Sequence, residues 1–159
     1  MYLDLGEKVF TRNNPLKWLK AFYNADYLKK ELEKTFGNIT LGGSEIKTGL
    51  AVFAKRADTG STWVFHNHPE GKYNADNKDI LLRRVVRAST AAPTYFQPEE
   101  IDVGRGEIGG FIDGGVSMVN NPALMMFLMT SMKGFPFNWE NGEDKILLVS
   151  IGTGTWKLR

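Results

Sequence analysis

The 159-residue sequence contains no cysteine, which removes disulfides, thiolate metal sites and cysteine nucleophiles together. That absence also points to a reducing compartment. Histidine is nearly missing, with only His66 and His68 present. Neither sign of charge dominates: 20 Lys and Arg against 18 Asp and Glu leave +2, too even a balance to argue for a nucleic-acid partner. No apolar run approaches the roughly 20 residues needed to span a bilayer. Met1 to Arg12 interleave Asp4, Glu7 and Lys8 with apolar residues and hold no signal-peptide core. The product is therefore expected to stay where it is made, in the cytoplasm. What is present, 42% hydrophobic and 24% charged residues, is the make-up of a globular chain. Its length allows burial of roughly 70% of the unfolded surface.

Hydrophobic periodicity divides the chain into elements. Asn14-Pro15 opens an apolar-aromatic patch through Trp18, Leu19 and Phe22. Asn24 reads as an N-cap, with Asp26 in the first turn and Leu28, Leu32 and Phe36 at helical spacing before a stop at Gly37. Thr48 to Lys55 and Thr62 to His66 read as strands, and Asp58 and Gly60 between them suit a hairpin turn. From Lys78 to Ala91 the positions Leu81, Val85, Ala88 and Ala92 predict a helix that Pro93 ends. Phe111-Ile112 form a short strand breaking at Asp113-Gly114-Gly115.

Asn121-Pro122 opens a helix whose residues Leu124 to Met129 leave no polar face, which predicts burial in the core. Gly134 can close it. Ile146 to Ile151 is almost continuously apolar and ends at Gly152-Thr153-Gly154, the pattern of an interior strand of a parallel sheet. Alternating helices and strands predict a layered α/β architecture.

Asp113 is the first chemical candidate. A carboxylate at a strand end, followed by two glycines that permit a sharp turn, lies where α/β proteins place ligands. Such an acid can serve as general base towards a hydroxyl. The same Asp-Gly pair is also a common turn dipeptide. His66 and His68 share a face if the strand continues through them, a metal-like spacing, but Glu70 is the only acid nearby. Arg83, Arg84 and Arg87 form a basic cluster that could meet anionic headgroups, although a solvated helix face explains it as well. Gly152-Thr153-Gly154 lacks the remaining residues of a dinucleotide or P-loop fingerprint and reads as a tight turn. None of Ser44, Ser61, Ser89, Ser117, Ser131 and Ser150 has glycine both two before and two after it, as a nucleophile elbow requires; Ser44 has Gly42 before it but Ile46 after it.

Three ordered segments carry a family resemblance. Arg83 to Phe96 resembles the A-S-x-A-A-P-x-x-F segment of patatin-like phospholipases. Phe111 to Val116 followed by Asn120 to Ala123 is similar to that family's D-G-G segment, and Lys145 to Gly154 to the strand and glycine turn that follow. The resemblance covers about Leu50 to Gly154. It implies a lipid acyl hydrolase of serine–aspartate dyad mechanism, acting on phospholipids or other lipid esters, without a cofactor or metal. The base maps onto Asp113, with Gly114 and Gly115 forming the motif turn, and membrane-surface contact is expected. The fold implied is a partial three-layer α/β/α patatin-like fold with a mainly parallel sheet and a β-hairpin.

In that family the glycine-rich oxyanion turn and the G-x-S-x-G nucleophile both precede D-G-G, and neither occurs here. Residues 1–159 are thus expected to form the C-terminal portion of a single domain, with its motifs in 78–154 and the N-terminal half of that domain as its partner. A chain of this kind is expected to be inactive alone, and marginal, oligomeric or insoluble. The alternative is a non-catalytic patatin-fold module that binds lipid or protein.

Overall fold

The computed structural model describes residues 2–10, 23 and 25–152. The aromatic patch at 14–22, the Asn24 cap and the Thr153-Gly154 end of the glycine turn lie outside them. Helices α1 (Tyr2–Val9) and α2 (Asp26–Phe36) precede the hairpin strands β1 (Ala51–Arg56) and β2 (Thr62–His66). The short α3 (Asn74–Asn77) and α4 (Leu82–Ser89) then lead to β3 (Glu99–Asp102) and β4 (Ile108–Asp113). A 3-10 turn at Gly114–Val116 and helix α5 (Ala123–Ser131) follow.

The strands form one sheet in the order β2-β1-β4-β3. Every pairing is antiparallel, which corrects the expectation of a mainly parallel sheet. The reason lies in the connections. A short turn joins β1 to β2, closed by Arg56 N–H donating to the Ser61 carbonyl at 2.9 Å, and Gly60 takes the left-handed φ of +69°. Another joins β3 to β4, closed by Val103 N–H donating to the Glu107 carbonyl at 2.9 Å. Hairpins of this length can only pair antiparallel. Strand β3 carried no clear signal in the sequence, because Glu99, Glu100 and Asp102 surround its one apolar residue, Ile101.

Side-chain alternation along β1 sorts the core into two layers. Ala54 faces the same side as Phe65, Phe111 and Ile101, where Val85 and Ala88 of α4 cover them. Phe53 faces the other side and packs with Val119 and with Met129 of α5. Helices on both faces of the sheet make a three-layer α/β arrangement, as the sequence predicts.

Three further expectations need correction. The run Ile146 to Ile151 forms no strand: Leu147 is 89% exposed and Ile151 92%. A continuously apolar run requires pairing partners to become an interior strand, and here it faces α5 across a cleft instead. Helix α5 is not enclosed, since Met129 alone is buried while Leu124, Met126 and Leu128 face outward. It covers one face of the sheet, and nothing among the described residues covers its far side. Helix α4 is shorter than 78–91, because Ile80 and Leu82 are taken by backbone pairing with Ile39 to Leu41, the Leu41 N–H donating to the Ile80 carbonyl at 2.8 Å. Gly37 ends α2 at φ +52°, its N–H donating to the Glu33 carbonyl at 2.8 Å, as the stop residue foretells.

Candidate active site

Asp113 is the last residue of β4 and stands opposite Ala54 of β1. Its N–H donates to the Ala91 carbonyl at 3.0 Å, joining the A-S-x-A-A-P segment to the D-G-G turn. The half-buried carboxylate accepts the Gly115 N–H through Oδ1 at 2.7 Å, so Asp113 caps the 3-10 turn that follows it. That contact fixes the side-chain direction and leaves Oδ2 without a described hydrogen bond.

The two glycines have different reasons to be glycine. A Cβ on Gly114 would stand 2.6 Å from the Phe53 carbonyl oxygen, so the turn runs directly against the backbone of β1. A Cβ on Gly115 would meet only side-chain oxygens, of Asn120 and Asp113, at 3.0 Å. The Phe53 carbonyl also accepts the Ser89 hydroxyl at 2.7 Å. Ser117 donates its hydroxyl to the Gly114 carbonyl at 2.7 Å. Ser89 thus serves the backbone of β1 and Ser117 that of the turn.

The sequence reading missed a second feature, an apolar cleft of about 470 Å³. It lies between α5 and the 146–151 segment, floored by Leu50 and Ala51 and walled by Met126, Met129, Phe137 and Leu148. Its size suits a drug-sized or acyl-like ligand. The unbroken hydrophobicity of both walls was the available signal. Asp113 does not line this cleft. At one end Asn121 Oδ1 accepts from the Ala123 N–H at 3.1 Å and from the Ser150 hydroxyl at 3.3 Å, although the N-cap position itself falls on Pro122, one residue later than the sequence suggests.

His66 and His68 do come together, but around an aromatic ring. Their imidazoles lie 5.9 and 4.9 Å from the Phe137 ring centroid. Burial, together with the neighbouring His68, holds the His66 imidazole below its ordinary pKa. Among the described residues no three His, Asp or Glu side chains cluster in a metal-like arrangement.

The basic cluster departs from a solvated face at one position. Arg87 is only 2% exposed and lies over the Phe96 ring, 5.1 Å from its centroid. No helix among the described residues is long and apolar enough to cross a membrane.

Comparison with known proteins agrees with this frame. The family model for patatin-like phospholipase matches residues 2–127. It therefore reaches upstream of the motifs legible in the sequence and stops before the Lys145 to Gly154 segment. Patatin group M-3 of Solanum tuberosum is 25% identical, the alignment covering 97% of this chain and 41% of that protein. The calcium-independent phospholipase A2-gamma of Mus musculus is 24% identical over 99% of this chain and 21% of its own length. Patatin-17 of Solanum cardiophyllum is 24% identical, with 97% and 41% covered. The chain thus spans less than half the length of these relatives. A match over most of its residues, on a fold that ties the D-G-G turn to the A-S-x-A-A-P segment, makes this chain a member of the patatin-like phospholipase family.

Proposed function

We propose that this chain supplies the aspartate base of a lipid acyl hydrolase, the serine nucleophile coming from polypeptide outside these 159 residues. Residues 1–159 then form the C-terminal portion of one patatin-like domain, and the N-terminal half is their partner. The observation that carries the reading is the fixed carboxylate of Asp113, held at a strand end by the Gly115 N–H. In the reaction Asp113 takes the proton from the serine hydroxyl as its oxygen attacks the ester carbonyl. The acyl group passes to serine, the alcohol leaves with the returned proton, and water hydrolyses the acyl-enzyme with Asp113 again as base. The apolar cleft beside α5 offers room for an acyl chain, and phospholipids or other lipid esters are the substrate class. The outward-facing Leu124 and Leu128 of α5 suit contact with a lipid surface. A chain without cysteine suits a reducing compartment, which supports a cytoplasmic location.

The test is ester hydrolysis measured twice. The 159-residue chain alone is expected to be inactive. A polypeptide joining it to a preceding G-x-S-x-G segment is expected to be active and to lose that activity on Asp113→Asn. Activity that survives the substitution refutes the assignment. The position of Asp113 outside the cleft favours a second reading, a non-catalytic lipid- or protein-binding module. That reading requires saturable binding without turnover in both polypeptides.

A further inference from the structure

The cleft between α2 and α4 holds more positive charge than its own carboxylates balance. It encloses about 380 Å³ and is lined by Lys29, Glu33, Arg83, Arg84, Arg87 and Glu99. Four cations therefore face two anions. Glu99 is buried and already engaged twice, by Arg84 Nε at 2.9 Å and by Lys29 Nζ at 3.8 Å. Glu33 stands 3.7 Å from Arg83, whose guanidinium also donates to the Gly37 carbonyl and to Asn38.

Arg87 is left over. Its Nη2 donates to the Gln97 carbonyl at 3.0 Å, but its Nε and Nη1 are buried with no hydrogen-bond partner among the described residues. A guanidinium stays charged in proteins, and an unpaired buried donor is costly. A purely structural arginine would be expected to use those donors.

We propose that this cleft binds a phosphoryl group, with Lys29, Arg83 and Arg84 at the mouth donating to it and the Arg87 guanidinium at the floor supplying uncompensated charge. The excess of two positive charges matches a phosphate dianion, and Arg84, whose Nε and Nη2 already hold Glu99 and the Glu100 carbonyl, turns its Nη1 to it. The site shares no residue with the Asp113 turn or with the apolar cleft, so it stands apart from the hydrolase reading. A phosphate monoester lipid headgroup and free phosphate present the same chemistry, and the experiment separates them.

The chain is titrated at low salt with inorganic phosphate, and with chloride as the control, while NMR follows its arginine Nε–H resonances. One saturable site is expected. Arg83→Gln combined with Arg84→Gln, both at partly exposed positions, is expected to weaken it at least about tenfold. Glu33→Gln removes a competing carboxylate at an exposed position and is expected to tighten it. A thermal melt by circular dichroism of each variant establishes that it is folded. Phosphate shifts that never saturate, or equal binding by the double variant, overturn the proposal. In a second arm, vesicles of phosphatidylcholine with and without phosphatidic acid are co-sedimented with the chain. Retention only by the phosphatidic acid vesicles, relieved by phosphate, assigns the headgroup. Saturation by phosphate without retention assigns the free anion, and either result upholds the site.

Discussion

Replacing Gly114 with alanine isolates the contact that seats the Asp113 turn. The backbone of Gly114 does not occupy the left-handed region, so alanine meets no conformational penalty there. The cost is steric. The new methyl would lie 2.6 Å from the Phe53 carbonyl oxygen and 3.0 Å from its carbon, well inside van der Waals contact. These are backbone atoms of a strand paired on both sides, and that oxygen also accepts the Ser89 hydroxyl. Relief therefore needs β1 and the turn to separate by several tenths of an ångström. Overpacking of this kind costs about 2 kcal/mol, near the middle of its usual range. For a chain of this size that lowers Tm by about 4–8 °C. Gly115→Ala is the internal control, because its methyl meets side-chain oxygens of Asn120 and Asp113 at 3.0 Å rather than strand backbone, and a shift of a few tenths of an ångström relieves it. Urea unfolding followed by circular dichroism gives both free energies. A Gly114→Ala protein as stable as the parent, or a larger loss in Gly115→Ala, would refute the steric reading of this turn.

Further outcomes follow from other positions. Asp113→Asn keeps an oxygen for the Gly115 N–H and should change stability by less than about 1 kcal/mol. In the serine-bearing polypeptide it should lower ester hydrolysis at least about 100-fold, read as kcat against a chromogenic ester. The depressed pKa of His66 means that the unfolded chain takes up its proton first as the solution is acidified. Stability from this group is therefore whole above its ordinary pKa, near 6.5, and declines as pH falls from there to the folded value. His66→Phe should flatten that part of a Tm-versus-pH profile, and an unchanged profile would show that His66 contributes nothing. Leu147→Ser with Ile151→Ser alters two of the most exposed apolar side chains and should leave Tm within a few degrees. The same pair should reduce self-association measured by sedimentation, and undiminished association would place the sticky surface elsewhere.

The legible parts of the fold were those set by local chemistry. Gly37 stops α2, Gly60 turns the first hairpin, and Asn121 accepts the N–H of Ala123 where α5 begins, each through its own backbone or side-chain preference. Asp113 stood out as a candidate because its carboxylate ends a strand before two glycines, where α/β proteins place ligands, and because that segment resembles the family's D-G-G. Sheet direction was not legible, since it depends on which segments find partners. The run 146–151 has strand composition yet pairs with nothing described, while acidic β3 pairs along its whole length with β4. The burial of Arg87 was hidden for a similar reason. Helical spacing put it with Arg83 and Arg84, but only the arrival of Phe96 and Gln97 beside it closes that position to water. The apolar cleft likewise needs α5 and a segment about 20 residues later to meet.

Arg56 divides the sheet into two unlike rims. Buried over the rings of Trp63 and Phe111, its guanidinium holds Asp58 in one hairpin turn and Glu107 in the other. Both turns are thereby fastened at the end of the sheet remote from Asp113, like two straps under one buckle. Changes in loop length or sequence at the Thr59-Gly60 tip stay on that fastened side, which makes it the natural place to graft a fluorophore or an affinity handle. The opposite rim, where β4 ends, carries the Asp113 turn, tied instead to the Ala91 carbonyl and to the backbone of Phe53.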